Sequence, residues 1–111
     1  MTISLEDFEK VELRTGTVIK AERFPKARNP SYKIWVDFGE AIGTLQTSAQ
    51  VTAHYTPEQL VGKQVVGCIN LGERNIAGFM SQFLLVGFSD DHGDIVLCSV
   101  DKPVQNGMKL H

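Results

Sequence analysis

Residues 56–62 read Thr56-Pro57-Glu58-Gln59-Leu60-Val61-Gly62, a short helix set into a chain that otherwise reads as strand. Thr56 is an N-cap. Pro57 suits the first helical position, where its missing N–H is not needed, and Gln59 completes a capping box. Gly62 stops the helix, so one or two turns are all that fit. Upstream, residues 11–21 are rich in Val, Thr and Ile around a lone Gly16, which predicts a strand with a bulge or sharp bend at the glycine. Residues 32–38 alternate: Tyr32, Ile34, Val36 and Phe38 on one face, Lys33, Trp35 and Asp37 on the other. Residues 41–51 form a weaker, more polar third strand. Downstream, residues 65–71, 79–88 and 95–100 are apolar runs bounded by turn residues. Residues 90–94 make a polar loop that predicts a hairpin between the last two.

Five or six curved strands with one short helix after the third predict an all-β chain. The expected architecture is a five-stranded barrel of the oligonucleotide/oligosaccharide-binding (OB) type, one domain over residues 1–111. A β-sandwich is the structural alternative. Ser4-Leu5-Glu6-Asp7 predicts a short N-terminal helix, and residues 103–107 a terminal turn, so short extensions flank the barrel.

With 111 residues, 42% hydrophobic and 22% charged, the composition is that of an ordinary globular domain. Residues 75–89 carry no charge, but they are fewer than the ~20 apolar residues of a membrane helix, so no membrane insertion is expected. No basic-apolar-small order opens the chain, which makes the cytoplasm the expected compartment. Cys68 and Cys98 lie in apolar runs with no C-x-x-C, and read as buried reduced thiols.

The net charge is −2, yet it is unevenly spread. Residues 13–33 hold Arg14, Lys20, Arg23, Lys26, Arg28 and Lys33 against Glu22 alone, a local excess of +5. This is a basic patch on an acidic chain. No G-x-G-x-x-G, G-x-x-x-x-G-K, H-E-x-x-H or G-x-S-x-G occurs, so neither catalysis nor a cofactor is indicated. His54, His92 and His111 do not cluster in sequence and read as solvated, with no metal expected.

The remaining signals concern binding. The proline-stiffened run from Arg23 to Lys33 puts Arg28 and Lys33 beside the usual OB ligand surface, or is merely a solvated basic loop. Gln46-Thr47-Ser48-Ala49-Gln50 places amides and hydroxyls in the third strand, where they suit recognition of bases or peptide backbone, or keep an edge strand polar. Asn70 to Gln82 is a glycine-rich loop with Arg74 and Asn75, leading into Ser81-Gln82. Trp35, on the less apolar face of its strand, is expected to cover a subunit contact, with stacking on a base or packing against a peptide side chain as the alternatives.

These residues also carry a resemblance. Leu13-Arg14-Thr15-Gly16-Thr17-Val18, then Tyr55 through Lys63, then Asn70-Leu71 through Arg74 and Ile76 through Gln82, resemble the tRNA-binding domain family of the EMAP-II/methionyl-tRNA-synthetase C-terminal type. Ala27 through Asp37 and Gln46 through Val51 are similar to its stand-alone CsaA branch. The resemblance implies an OB barrel paired as a homodimer through its terminal extensions. It further implies a chaperone that binds unfolded or precursor polypeptides in protein export, with tRNA binding on the same surface as the alternative; the absence of a nucleotide motif makes that binding ATP-independent. Carried over by position, Lys33, Arg74, Ser81 and Gln82 match the family's nucleic-acid surface, while Gln46, Ser48 and Asn70 would line the same cavity. Glu73 and Asn75 flank Arg74 where many relatives carry a basic pair, which weakens the case for tRNA.

Overall fold

The first strand, β1 (Leu13–Arg23), runs between two sets of neighbours in the computed structural model, which describes residues 1–111. Its first half pairs antiparallel with β4 (Gln64–Cys68), from Leu13↔Cys68 to Thr17↔Gln64. Its second half pairs with β2 (Tyr32–Asp37), from Thr17↔Asp37 to Arg23↔Tyr32. The register slips between Val18 and Lys20, leaving Ile19 as the bulge. The bend expected at Gly16 therefore falls further along the strand. Gly16 serves close packing instead: a Cβ there would collide with Val36 Cγ1 and lie 2.9 Å from Phe38 Cδ1.

The five-stranded sheet has the order β3-β2-β1-β4-β7, with β3 at Thr44–Ala49 and β7 at Leu84–Leu85. It rolls into the nearly closed antiparallel barrel that the strand order predicts. The helix α1 (Leu5–Glu9) precedes it, capped by Ser4, whose Oγ accepts from Asp7 N at 3.0 Å. The helix α2 (Pro57–Leu60) follows β3 as expected, and both halves of its capping box form, Gln59 N to Thr56 Oγ1 at 3.2 Å and Thr56 N to Gln59 Oε1 at 3.0 Å. No helix is long and apolar enough to cross a membrane.

Alternation on β2 is realised in full: Tyr32, Ile34 and Val36 point into a core shared with Val18, Phe38, Leu60 and Val65. Phe38 meets Phe83 edge-on with ring centres 5.0 Å apart. The second half of the chain is more broken than its apolar run suggests. Residues 79–88 divide into β6 (Phe79–Ser81), β7 and β8 (Gly87–Ser89). Ahead of them the expected loop holds β5 (Arg74–Ile76), joined to β6 by a two-residue turn with Ala77 at φ 50 and Gly78 at φ 87. Positive φ at both central residues matches the right-handed twist of a hairpin. The predicted final hairpin forms between β8 and β9 (Ile95–Leu97). Cys68 is buried and Cys98 only partly so, and both are free.

The C-terminal residues lie along the free edge of the first half of β1. Gly107 N donates to Thr15 O at 2.7 Å, Thr15 N to Met108 O at 3.0 Å, and Leu110 N to Leu13 O at 2.9 Å. Arg14 and Lys109 both reach Glu12, at 2.6 and 3.0 Å. These two cations, with the hydrogen bonds they donate, hold the Glu12 carboxyl below the usual carboxylate range.

Candidate functional site

The barrel closes between β3 and the residues after β6, and this seam is made largely by side chains. Gln82 N donates to Gln46 O at 2.8 Å, a lone backbone pair. Around it, Gln46 N donates to Gln82 Oε1 at 3.0 Å, Ser48 N to Ser81 Oγ at 2.8 Å, and Thr47 Oγ1 to Phe83 O at 2.6 Å. Gln46 also donates through Nε2 to Met80 O at 3.0 Å and accepts from Trp35 Nε1 at 3.2 Å. Gln46, Ser81 and Gln82, expected on a ligand surface, are thus committed to holding the barrel shut. A polar patch in a strand satisfies backbone groups here because β6 turns away before a full ladder can form.

Beyond the seam the strands part. A groove of about 830 Å³ opens there, with Ser48 to Ala53 on one side, Leu84 to Gly87 and Gly93 to Ile95 on the other, and Arg28 and Arg74 among its lining. A smaller hollow of about 220 Å³ joins it, sharing Ser48, Arg74, Ile76 and Leu84 and bounded by Ser81. Of the predicted residues, Arg28, Ser48 and Arg74 therefore meet at one groove, with both arginines exposed. Gln50 is the first residue past the end of β3, and neither its N–H nor its C=O takes part in a backbone hydrogen bond. The groove thus has unpaired backbone at Gln50, just past the end of β3, apolar walls at Ile76, Leu84 and Ile95, and cations near by.

Lys33, Asn70 and Asn75 lie apart from the groove. Lys33 sits on the outer face of β2, its Nζ 4.8 Å from the Phe24 ring centre and 5.1 Å from that of Phe79. Phe79 also packs edge-on to Trp35 at 5.8 Å, and Lys20 lies 4.7 Å over the Trp35 ring. Cations over ring faces are attracted to the negative face of the π system. Trp35, expected at a subunit contact, is half-covered by this ladder within its own chain. Asn75 caps its own hairpin, accepting from Gly78 N at 2.8 Å. Asn70 does not line the expected cavity: it accepts from Glu12 N at 3.0 Å and donates to Lys10 O at 2.7 Å, tying down the N-terminal segment. The opposite groove wall, residues 84–87 and 93–95, carried no sequence signal, because apolar groove walls and apolar core strands are spelled alike.

Next to residues 51–53, His54 is not simply solvated. Its Nε2 lies 2.6 Å from Asp90 Oδ2 on the β8–β9 loop. The His54 contact, followed by the backbone amides of Asp94 and His92, holds the Asp90 carboxyl below its ordinary range.

The family described as "Putative tRNA binding domain" matches residues 13–109. The chain belongs to that family. Within this tRNA-binding-domain family, the structure is similar to that of the chaperone CsaA from Bacillus anthracis, at 40% identity, with 100% of each chain covered and a TM-score of 0.93. It is also similar to the CsaA chaperone protein of Picrophilus torridus, at 31% identity, covering 99% of this chain and 100% of the other with a TM-score of 0.91. A methionine–tRNA ligase from Methanocaldococcus jannaschii is 34% identical over 108 residues, covering 97% of this chain but 16% of the ligase. The chain thus spans about a sixth of the length of such a curated relative.

Proposed function

We propose that the chain is a non-enzymatic, ATP-independent holder of unfolded or precursor polypeptides, of the kind that serves protein export in the cytoplasm, and that it acts as a homodimer. The observation that carries this reading is the unpaired backbone of Gln50, immediately past the end of β3, within the groove. An extended segment docked there would gain main-chain hydrogen bonds from Gln50 and apolar contacts from Ile76, Leu84 and Ile95, which is strand addition at the end of β3 with weak side-chain selectivity. Arg28 and Arg74 would favour segments with a carboxylate near that end. The likeness to two proteins named as chaperones supports the same reading. The exposed Ile3, Leu5, Met108 and Leu110 on the two extensions would be covered by a second copy. Sedimentation at micromolar concentration should then give twice the chain mass, and removal of residues 1–9 should weaken association.

A second reading, tRNA binding, is favoured by the family itself and by Lys20, Lys33, Arg28 and Arg74. Phosphate binding by so few cations would be weak and steeply salt-dependent. Calorimetric titration of one preparation with an unfolded precursor and with bulk tRNA separates the two. Gln50→Pro removes the backbone donor and should weaken precursor binding about tenfold, the equivalent of one hydrogen bond, while leaving tRNA unaffected. Tight tRNA binding with a steep salt slope and no heat from the precursor would reverse the order of the readings.

A further inference from the structure

Beside the groove, two segments far apart in sequence bring three metal-ligating side chains together. His54 lies between β3 and α2, whereas Asp90 and Asp94 flank the β8–β9 turn. One ligand atom from each lies within 4.8 Å of the other two. Asp90 is oriented by its backbone: Oδ1 accepts from His92 N and Asp94 N, both at 2.9 Å, which leaves Oδ2 facing His54 Nε2. Asp94 is half-buried, and its carboxylate forms no ion pair with any Lys, Arg or His.

We propose that His54, Asp90 and Asp94 form a binding site for one divalent transition-metal ion of the Zn²⁺ type. The donor set decides the class. One imidazole nitrogen with two carboxylate oxygens suits zinc, cobalt or nickel, whereas calcium and magnesium favour oxygen ligands throughout. The His54–Asp90 contact is a short hydrogen bond, and a metal between the two groups would replace it. With tetrahedral bonds of about 2.0–2.2 Å to each ligand, neighbouring ligand atoms stand about 3.4 Å apart, so the 2.6 Å His54–Asp90 pair would open by a little under about 1 Å while the wider separations, which reach up to 4.8 Å, would draw in. Water completes the coordination, since His54 remains exposed. The bound ion would fasten the β8–β9 hairpin to the segment after β3, the two walls of the groove.

Calorimetry of the full chain with Zn²⁺, repeated with Co²⁺ to follow its visible absorption, tests this directly. One ion per chain is expected, with affinity reduced at least about tenfold in His54→Gln and in Asp94→Asn and unchanged in His92→Gln and Cys98→Ser. No stoichiometric uptake at millimolar zinc overturns the proposal, as does uptake that survives the first two variants or disappears in either of the last two. Should either ligand variant fail to fold, Mn²⁺ added to the unaltered protein provides the second measurement. Paramagnetic broadening must centre on the amides of His54, Asp90 and Asp94, and broadening centred elsewhere rejects the site.

Discussion

Between β1 and its neighbours β2 and β4 the barrel is held by continuous backbone ladders, whereas between β3 and residues 81–83 it is held mainly by side chains. The ladder side obeys a period of two, and its inward residues Val18, Ile34, Val36 and Val65 are sealed from solvent. The seam side spends polar side chains on backbone groups and leaves a gap immediately beyond them. A polar stretch inside a strand can therefore mark a closure rather than a ligand surface. The open groove follows from the same cause, because on the seam side no backbone pairing continues past Ser48.

The largest effect should come from the ladder side. Ile34 is fully buried at the centre of β2. Ile34→Ala should cost about 2–5 kcal/mol in urea unfolding, through lost burial and the cavity left behind. A cost below 1 kcal/mol, on the order of a surface change, would mean that the ladder side is no more rigid than the seam.

What could be read from the sequence follows the same division. The alternation of residues 32–38, the capping box at Thr56 and Gln59 and the polar hairpin loop are local signals, and all appear in the structure. The bulge was displaced from Gly16 to Ile19, because close packing on Val36 and not strand bending is what needs a glycine there. Arg28, Ser48 and Arg74 do converge, but Asn70 does not join them, since a side-chain amide suits a tether as well as a ligand. The His54–Asp90 contact spans 36 positions and had no local trace.

The seam itself is probed at Thr47. Its hydroxyl donates to Phe83 O at 2.6 Å in a buried setting, and Thr47→Val keeps the shape while leaving that carbonyl unsatisfied. The expected cost is about 1–2 kcal/mol, smaller than that of Ile34→Ala. Faster amide exchange should appear at Gln82 and Ser48 before it appears in β2. Unchanged exchange at the seam would show that the backbone pair between Gln82 and Gln46 suffices for closure.

A smaller effect of opposite sign is expected in the hairpin that carries Arg74. Ala77 is exposed and holds φ 50, a conformation that costs a residue with a Cβ about 1–2 kcal/mol. Ala77→Gly relieves that cost but adds chain entropy to the unfolded state, for a net gain of about 0.5–1 kcal/mol. A loss of stability on urea unfolding would show that the Ala77 methyl is packed and the turn already relaxed.

The smallest effect concerns the C-terminal strap and depends on pH. Glu12 titrates below its ordinary value of 4.5 because Arg14 and Lys109 favour its charged form. An acid whose folded value is depressed contributes stability above its unfolded value and loses it as pH falls through the folded one. The strap should therefore loosen only below pH 4.5. Hydrogen exchange at Thr15 and Leu110, whose amides bond across the strap, should accelerate relative to intrinsic rates while Val36 stays protected. Added salt should shrink the difference, since the groups are partly exposed and screened. If Thr15 and Leu110 keep full protection in acid, the backbone bonds hold the strap without the ion pairs. The strap would then belong with the ladder side of the molecule rather than with the seam.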